Sequence, residues 1–153
     1  MRSVLLVFAA LALAPAMGLA APAAAPAAIE KEIVALEDAM NKAYAANDLP
    51  TYFGYYAGDV SAIFYNQRTT LEAYRTMWTA AVRSDPIEAV GTHDMQVRVS
   101  AAADVAVASY QIDVRTHHAS GPATDEHAFE TDVWERRSGV WKVVHVQYSP
   151  AAK

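Results

Sequence analysis

Histidine titrates near neutral pH, so a search for acid-base chemistry starts from the five histidines of the chain. His145 lies in the apolar run Trp141 to Tyr148, where a strand would project it as an isolated polar group. It is the candidate general base. No second catalytic partner is set by spacing, so the competing reading is a hydrogen-bonded strand histidine or one on an outer sheet face. Tyr65, Trp78, His127, Phe129, Thr131 and Gln147 are candidates for lining a small-molecule site, since aromatic walls with a few convergent polar groups suit such ligands. Most other aromatic residues are read as core, and an ordinary filled core without a cavity is the alternative.

Metal ligation has thin support. His93 has no histidine at helical spacing, and His117 and His118 would project to opposite faces of one strand. Asp125, Glu126 and His127 read more readily as a solvated acidic turn than as a cation site. Neither a metal nor a cofactor is expected. The chain has no Cys, which excludes disulfides, thiolate metal sites and cysteine nucleophiles. It also lacks a Gly-rich phosphate loop and a Gly-x-Ser-x-Gly elbow. With 12 Lys and Arg against 17 Asp and Glu, the net charge of -5 has the wrong sign for a nucleic-acid partner.

The elements that must position these residues are read from periodicity. The 153 residues, 54% of them apolar, suffice for one packed domain. Ile29, Ile33, Leu36 and Met40 recur at helical spacing, with Glu30, Lys31, Glu37, Asp38 and Lys42 on the other side, which predicts a helix over Ile29 to Ala46. Asp48, Leu49 and Pro50 start a short second helix that ends by Gly58. Val60 to Tyr65 reads as a strand turned by Asn66, Gln67 and Arg68. Thr69 and Glu72 form a capping box for a third helix with a stripe of Leu71, Tyr74, Met77, Trp78 and Ala81.

From Ala89 onward the period is two. Strands are predicted at Met95 to Val99, Val105 to Thr116, His127 to Arg136 and Trp141 to Tyr148, with Ser138 and Gly139 in a tight turn. The fold class is therefore α+β, three N-terminal helices packed on a curved, mainly antiparallel sheet of four to five strands.

The facing of His145 depends on that turn. A three-residue loop with Gly139 as a bulge pairs Thr131 with His145 and Phe129 with Gln147, placing these four and His127 on one face. A two-residue loop instead pairs Asp132 with His145. The first is preferred because Ser-Gly suits the bulged turn. Thr131 and His145 then point to the interior, and Val144 and Val146 to the outer face. Since Val143 adjoins Val144 and Val146, apolar residues of both parities cannot all face one cavity; an apolar outer patch and a homodimer through it are expected.

The element order, together with the closing segment Asp132-Val-Trp-Glu-Arg-Arg-Ser-Gly-Val-Trp-Lys-Val-Val-His-Val-Gln-Tyr-Ser149, the break Asn47-Asp48, and Asp59 before the first strand, resembles the SnoaL-like members of the nuclear transport factor 2 superfamily. The closing hairpin also resembles that of the calmodulin-dependent kinase II association domain. The resemblance spans nearly all of Ile29 to Ser149. It implies a conical barrel with a cavity between sheet and helices, and often a dimer through the outer sheet face. That fold hosts isomerases, cyclases, dehydratases, binding proteins and association modules, so it does not select among them. Compared with the family's steroid isomerases, Met40 stands where the first-helix Tyr donor would lie, Tyr65 or Asn66 where the Asp base would follow the first strand, and Phe129 where the protonated Asp would sit. No Asp or Glu lies between Val60 and Thr70 to replace the base. Steroid isomerisation by that mechanism is not expected. The leading expectation is an exported domain that binds a small, mainly apolar molecule. The alternatives are a SnoaL-like isomerase, cyclase or dehydratase with His145 as base, and a homo-oligomeric association module.

Arg2, the apolar run Val4 to Leu13, Pro15 and the small residues Gly18 and Ala20 predict a signal peptide over residues 1–20. Residues 21–28 then form an Ala/Pro-rich linker, and 29–150 the cone domain. Loss of Arg2 makes the net charge -6, and no stable membrane insertion is expected after cleavage, though an uncharged stretch over residues 3–29 leaves a retained anchor as the alternative. The protein is expected to be periplasmic or secreted.

Overall fold

The computed structural model describes residues 26–151; the expected signal peptide lies outside the described residues. Helix α1 (Pro26–Ala45) already includes residues assigned by sequence to the linker. It buries Ile29, Ile33, Met40 and Tyr44 against the sheet, packing across the strands later numbered β3 and β4. Glu37, expected on the solvent side, is wholly buried on this same face, four residues beyond Ile33. Helix α1 stops at Asn47 (φ 57°), whose amide side chain donates to the Ile87 carbonyl (2.9 Å) and accepts from the Ile87 N–H (2.8 Å). Helix α2 (Leu49–Gly54) is capped by Asp48, which accepts from the Thr51 N–H at 3.2 Å. Helix α3 (Leu71–Ser84) is capped by Thr70, one residue later than the expected box, through the Ala73 N–H. On this helix Tyr74 is buried, Trp78 half-buried and Met77 exposed.

Among the described residues six strands form one sheet in the order β2-β1-β6-β5-β4-β3. They are β1 (Tyr56–Phe64), β2 (Gln67–Thr69), β3 (Ile87–Val99), β4 (Val105–Thr116), β5 (Thr124–Arg137) and β6 (Val140–Pro150). The strand number exceeds the expected four to five because residues 67–69 fold back on β1 as a short hairpin strand instead of a loop. Tyr65 and Asn66, both at positive φ, make that two-residue turn. Strand β1 runs parallel to β6 and every other pairing is antiparallel, so helices and sheet enclose the expected α+β cone.

The last hairpin follows neither expected register along its whole length. Ser138 (φ 51°) and Gly139 (φ 84°) form a two-residue turn that pairs Arg137 with Val140. A bulge at Val144 then shifts the pairing, so that Val133 faces His145 and Thr131 faces Gln147. The extra residue switches parity. Trp141 and Val143 before the bulge, and Val146 and Tyr148 after it, all point to the core. Val146, expected on an outer apolar patch, is therefore completely buried.

The same geometry reverses the expected facing of the site residues. His127, Phe129, Thr131, His145 and Gln147 do share a face, but it is the outer one, opposite the buried Ala128, Glu130, Asp132 and Trp134.

Candidate functional site

The inner face of β5 presents Glu126, Ala128, Glu130, Asp132 and Trp134 in succession, every second residue. Each rung continues across the neighbouring strands: Tyr110, Glu130 and Tyr148 lie side by side, as do Ala108, Asp132 and Val146. Ala106 and Ala108 on β4 are small, which leaves room for the larger β5 side chains beneath α1.

At the closed end three carboxyl groups meet. The Trp134 indole N–H donates to Glu37 Oε1 at 2.6 Å, and the Tyr110 hydroxyl donates to Asp132 Oδ2 at 3.1 Å. Asn41, one turn beyond Glu37, donates to the Glu37 carbonyl (3.1 Å) and toward the Tyr110 hydroxyl (3.4 Å). Removal from water penalises the charged form of each acid. Burial pushes Glu37 up to about 7, opposed by the Trp134 bond. Burial, reinforced by the neighbouring Glu37 charge, pushes Glu130 up to about 8. Asp132, between them, is raised well above the usual carboxylate range for the same two reasons. The group holds protons that exposed acids would have lost.

Above this cluster, a cavity of about 230 Å³ opens between the sheet and helices α1 and α3. Its walls are Tyr44, Tyr52, Phe64, Tyr74, Trp78, Ile112 and Val114; Asn41 and Glu130 also line it. The aromatic wall is itself cross-braced: Phe64 stacks on Tyr74 at 4.1 Å, and Tyr52 shares hydroxyl contacts with Tyr56 (2.6 Å) and Tyr74 (3.1 Å). Burial drives these phenols well above their ordinary range, so they remain neutral. The exposed Tyr65 and Met77 mark the mouth, together with His118, Thr124 and Glu126. There Glu126 Oε1 accepts from both Tyr65 (2.7 Å) and Tyr148 (2.5 Å). His118 contacts Thr124 Oγ1 (2.9 Å) and Asp85 (3.3 Å).

Glu130 is the chemically distinctive member. It is 6% exposed and lines the cavity. Tyr110 and Asp132 stand beside its carboxyl and temper the effect of burial. No side chain among the described residues holds it in a well-formed hydrogen bond. A protonated carboxyl so placed can donate to an acceptor on a ligand; once ionised, it can accept a proton or pair with a cation. Nothing among the described residues groups three metal-ligating side chains in a way that could hold an ion.

Of the residues singled out by sequence, Tyr65 and Trp78 line this cavity. His127 and Phe129 are exposed on the outer face, where His127 contacts Asp113 at 2.6 Å and Phe129 is 53% exposed. Thr131, Gln147 and the half-buried His145 accompany them there. The structure instead assembles Glu37, Glu130, Asp132 and Tyr110, none of which sequence reasoning selected. A signal for Glu37 existed in its spacing from Ile33 and Met40. The β5 acids carried none, because Phe129, Thr131 and Val133 look the more apolar of the two alternating sets.

A cone of helices over a curved sheet, with a cavity above its inner face, is the architecture of nuclear transport factor 2-like proteins. The chain matches the SnoaL-like domain family over residues 33–153 and belongs to it. Similar solved structures include a nuclear transport factor 2-like protein of Cytophaga hutchinsonii, 20% identical with a TM-score of 0.68, covering 79% of this chain and 97% of that one. A Xanthomonas campestris protein assigned as a calcium/calmodulin dependent protein kinase II association domain is 22% identical with a TM-score of 0.70, covering 88% and 94%. The association domain of that kinase from C. elegans is 18% identical with a TM-score of 0.62, covering 78% and 93%. At these identities the likeness concerns the fold. No protein with a curated description matches the chain.

Proposed function

We propose that this is a binding domain that holds a small, mainly apolar, ring-bearing molecule in the aromatic cavity, with Glu130 meeting its polar end. The observation that carries this reading is the cavity itself. An engineered apolar cavity of about 150 Å³ accommodates benzene, so a cavity of about 230 Å³ suits a ring with a short substituent. The indole N–H of Trp78, buried on the cavity wall without a partner, offers a direct probe. Toluene should shift the Trp78 indole N–H resonance and raise the melting temperature, leaving the Trp134 and Trp141 resonances nearly in place. Saturating toluene that moves neither would refute the reading.

A second reading is proton-transfer chemistry, favoured by the value of about 8 for Glu130, which places a cavity carboxyl near neutral titration. In that reading Glu130 takes the role that sequence gave to His145. Export and homodimerisation belong to the same proposal. Export is supported by the charged, apolar and small-residue order of residues 1–20. Among the described residues no helix is long and apolar enough to cross a membrane. The mature chain should begin near Ala21 by N-terminal sequencing. A dimer through the outer sheet face is supported by the exposed Phe129 ring.

A further inference from the structure

We propose that the molecule taken up is an organic cation, an aryl- or aralkylammonium, whose charge is met by Glu126 and Glu130 within the aromatic walls. The inference rests on the binding reading above and supplies its ligand class. Its basis is the charge of the lining. Two carboxyl groups face the cavity from one strand, Glu126 at the mouth and Glu130 within, and among the described residues neither Lys nor Arg lines it. Separated by four residues on one face of β5, their backbones lie about 13 Å apart. A ligand of about ten heavy atoms, the size that the cavity admits, then lies between the two acids, its charge attracted by both.

Each acid has capacity to spare. The two tyrosine hydroxyls at the mouth both converge on Glu126 Oε1 and leave its second oxygen without a hydrogen-bond partner among the described residues. Glu130 is more than nine-tenths buried, opens onto the cavity and has no well-formed hydrogen bond there. A carboxyl that opens onto the cavity without a fixed partner can take one from a ligand. The walls supply the other half of the recognition, because the faces of tyrosine and tryptophan attract cations most strongly where water is excluded. An anionic ligand would face two acids of its own sign, with His118 as the sole basic side chain that the described residues contribute to the lining, itself beside Asp85.

Uptake of a cation is then coupled to a proton. The titratable groups within electrostatic reach of Glu130 are Glu37 and Tyr44 from α1, Tyr52 from α2, Tyr56 from β1, Tyr74 from α3, Tyr110 from β4, Asp132 from β5 and Tyr148 from β6, all acids. None can neutralise it, which agrees with its ionisation at about 8. A bound cation favours the ionised form, so binding at pH 7 releases up to one proton. For a permanently charged ligand, affinity rises with pH through about 8.

The experiment compares phenyltrimethylammonium with its neutral isostere tert-butylbenzene on the full mature chain. Binding is followed by the Trp78 indole resonance, and by calorimetry at pH 7 in two buffers of different ionisation enthalpy. The expected result is a cation preference of about tenfold or more, with proton release. Glu126→Gln should weaken the cation and spare the isostere. Glu130→Gln, with folding verified by its melting transition, should abolish the proton release and the pH dependence. Equal or tighter binding of tert-butylbenzene overturns the cation inference and leaves the cavity reading intact. Failure of both compounds to perturb Trp78 overturns both.

Discussion

Glu130→Gln exchanges an ionisable carboxyl for a neutral amide of nearly the same shape, so it isolates what ionisation costs the fold. An ordinary glutamate titrates near 4.5, whereas Glu130 does so at about 8. Its folded-state value is raised, so its contribution is fully present below 4.5 and is lost as pH rises to about 8. Over that interval the unfolded chain has already released the proton that the folded chain still holds, and stability falls with pH. At about 1.4 kcal/mol per pH unit, the loss between pH 5 and 8.5 is about 4 kcal/mol. That is a large share of the roughly 5 to 15 kcal/mol that holds a domain together. Every other titrating group is common to wild type and variant, so the difference between their unfolding free energies reports this carboxyl together with its coupling to Glu37 and Asp132. Urea unfolding at matched ionic strength, followed by tryptophan fluorescence, should show the variant gaining about 4 kcal/mol on wild type from pH 5 to 8.5. Parallel stability profiles would refute the placement of an ionisable carboxyl in a dry, acid-lined site. Glu37→Gln should act in the same direction over the narrower interval from 4.5 to about 7, and the two changes should not add, because each charge raises the cost of the other.

Trp141→Ala should cost about 3 to 5 kcal/mol in urea unfolding, since the ring is 5% exposed with the Arg136 guanidinium 4.6 Å from its centroid. Lys142→Ala, which loses only an exposed contact with the Gly54 carbonyl, should cost less than about 1 kcal/mol. Val146→Glu should unfold the protein or lower its melting temperature steeply, because the bulge at Val144 turns that side chain into the core. Phe129→Glu should leave the fold intact and shift sedimentation equilibrium toward monomer; a wild-type protein already monomeric at about 10 micromolar would refute the dimer. His145→Ala should leave toluene binding unchanged, and a lost Trp78 response would place the histidine back in the site.

Local chemistry in the sequence determines the elements. The Asp48 cap, the Val105–Thr116 strand and the Ser138–Gly139 turn depend on side-chain and backbone preferences acting over a few residues, and the structure has each of them. Family membership is legible for the same reason, since it lies in the order of elements and the closing hairpin. The facing of the last two strands is different in kind. One unpaired residue at Val144 inverts parity, and nothing in the run Val143 to Val146 marks where the chain will bulge. The candidate site depended on that choice. By hydropathy, Phe129, Thr131 and Val133 belong inside, with Glu130 and Asp132 in water. The tertiary structure does the opposite because Trp134 donates to the Glu37 carboxyl, Asn41 reaches the Tyr110 hydroxyl, Tyr110 bonds Asp132 from the next strand, and mutual burial keeps these acids protonated. Those partners lie up to 97 residues apart in the chain. Only the folded arrangement brings them within hydrogen-bonding distance, and with them the cavity that they underlie.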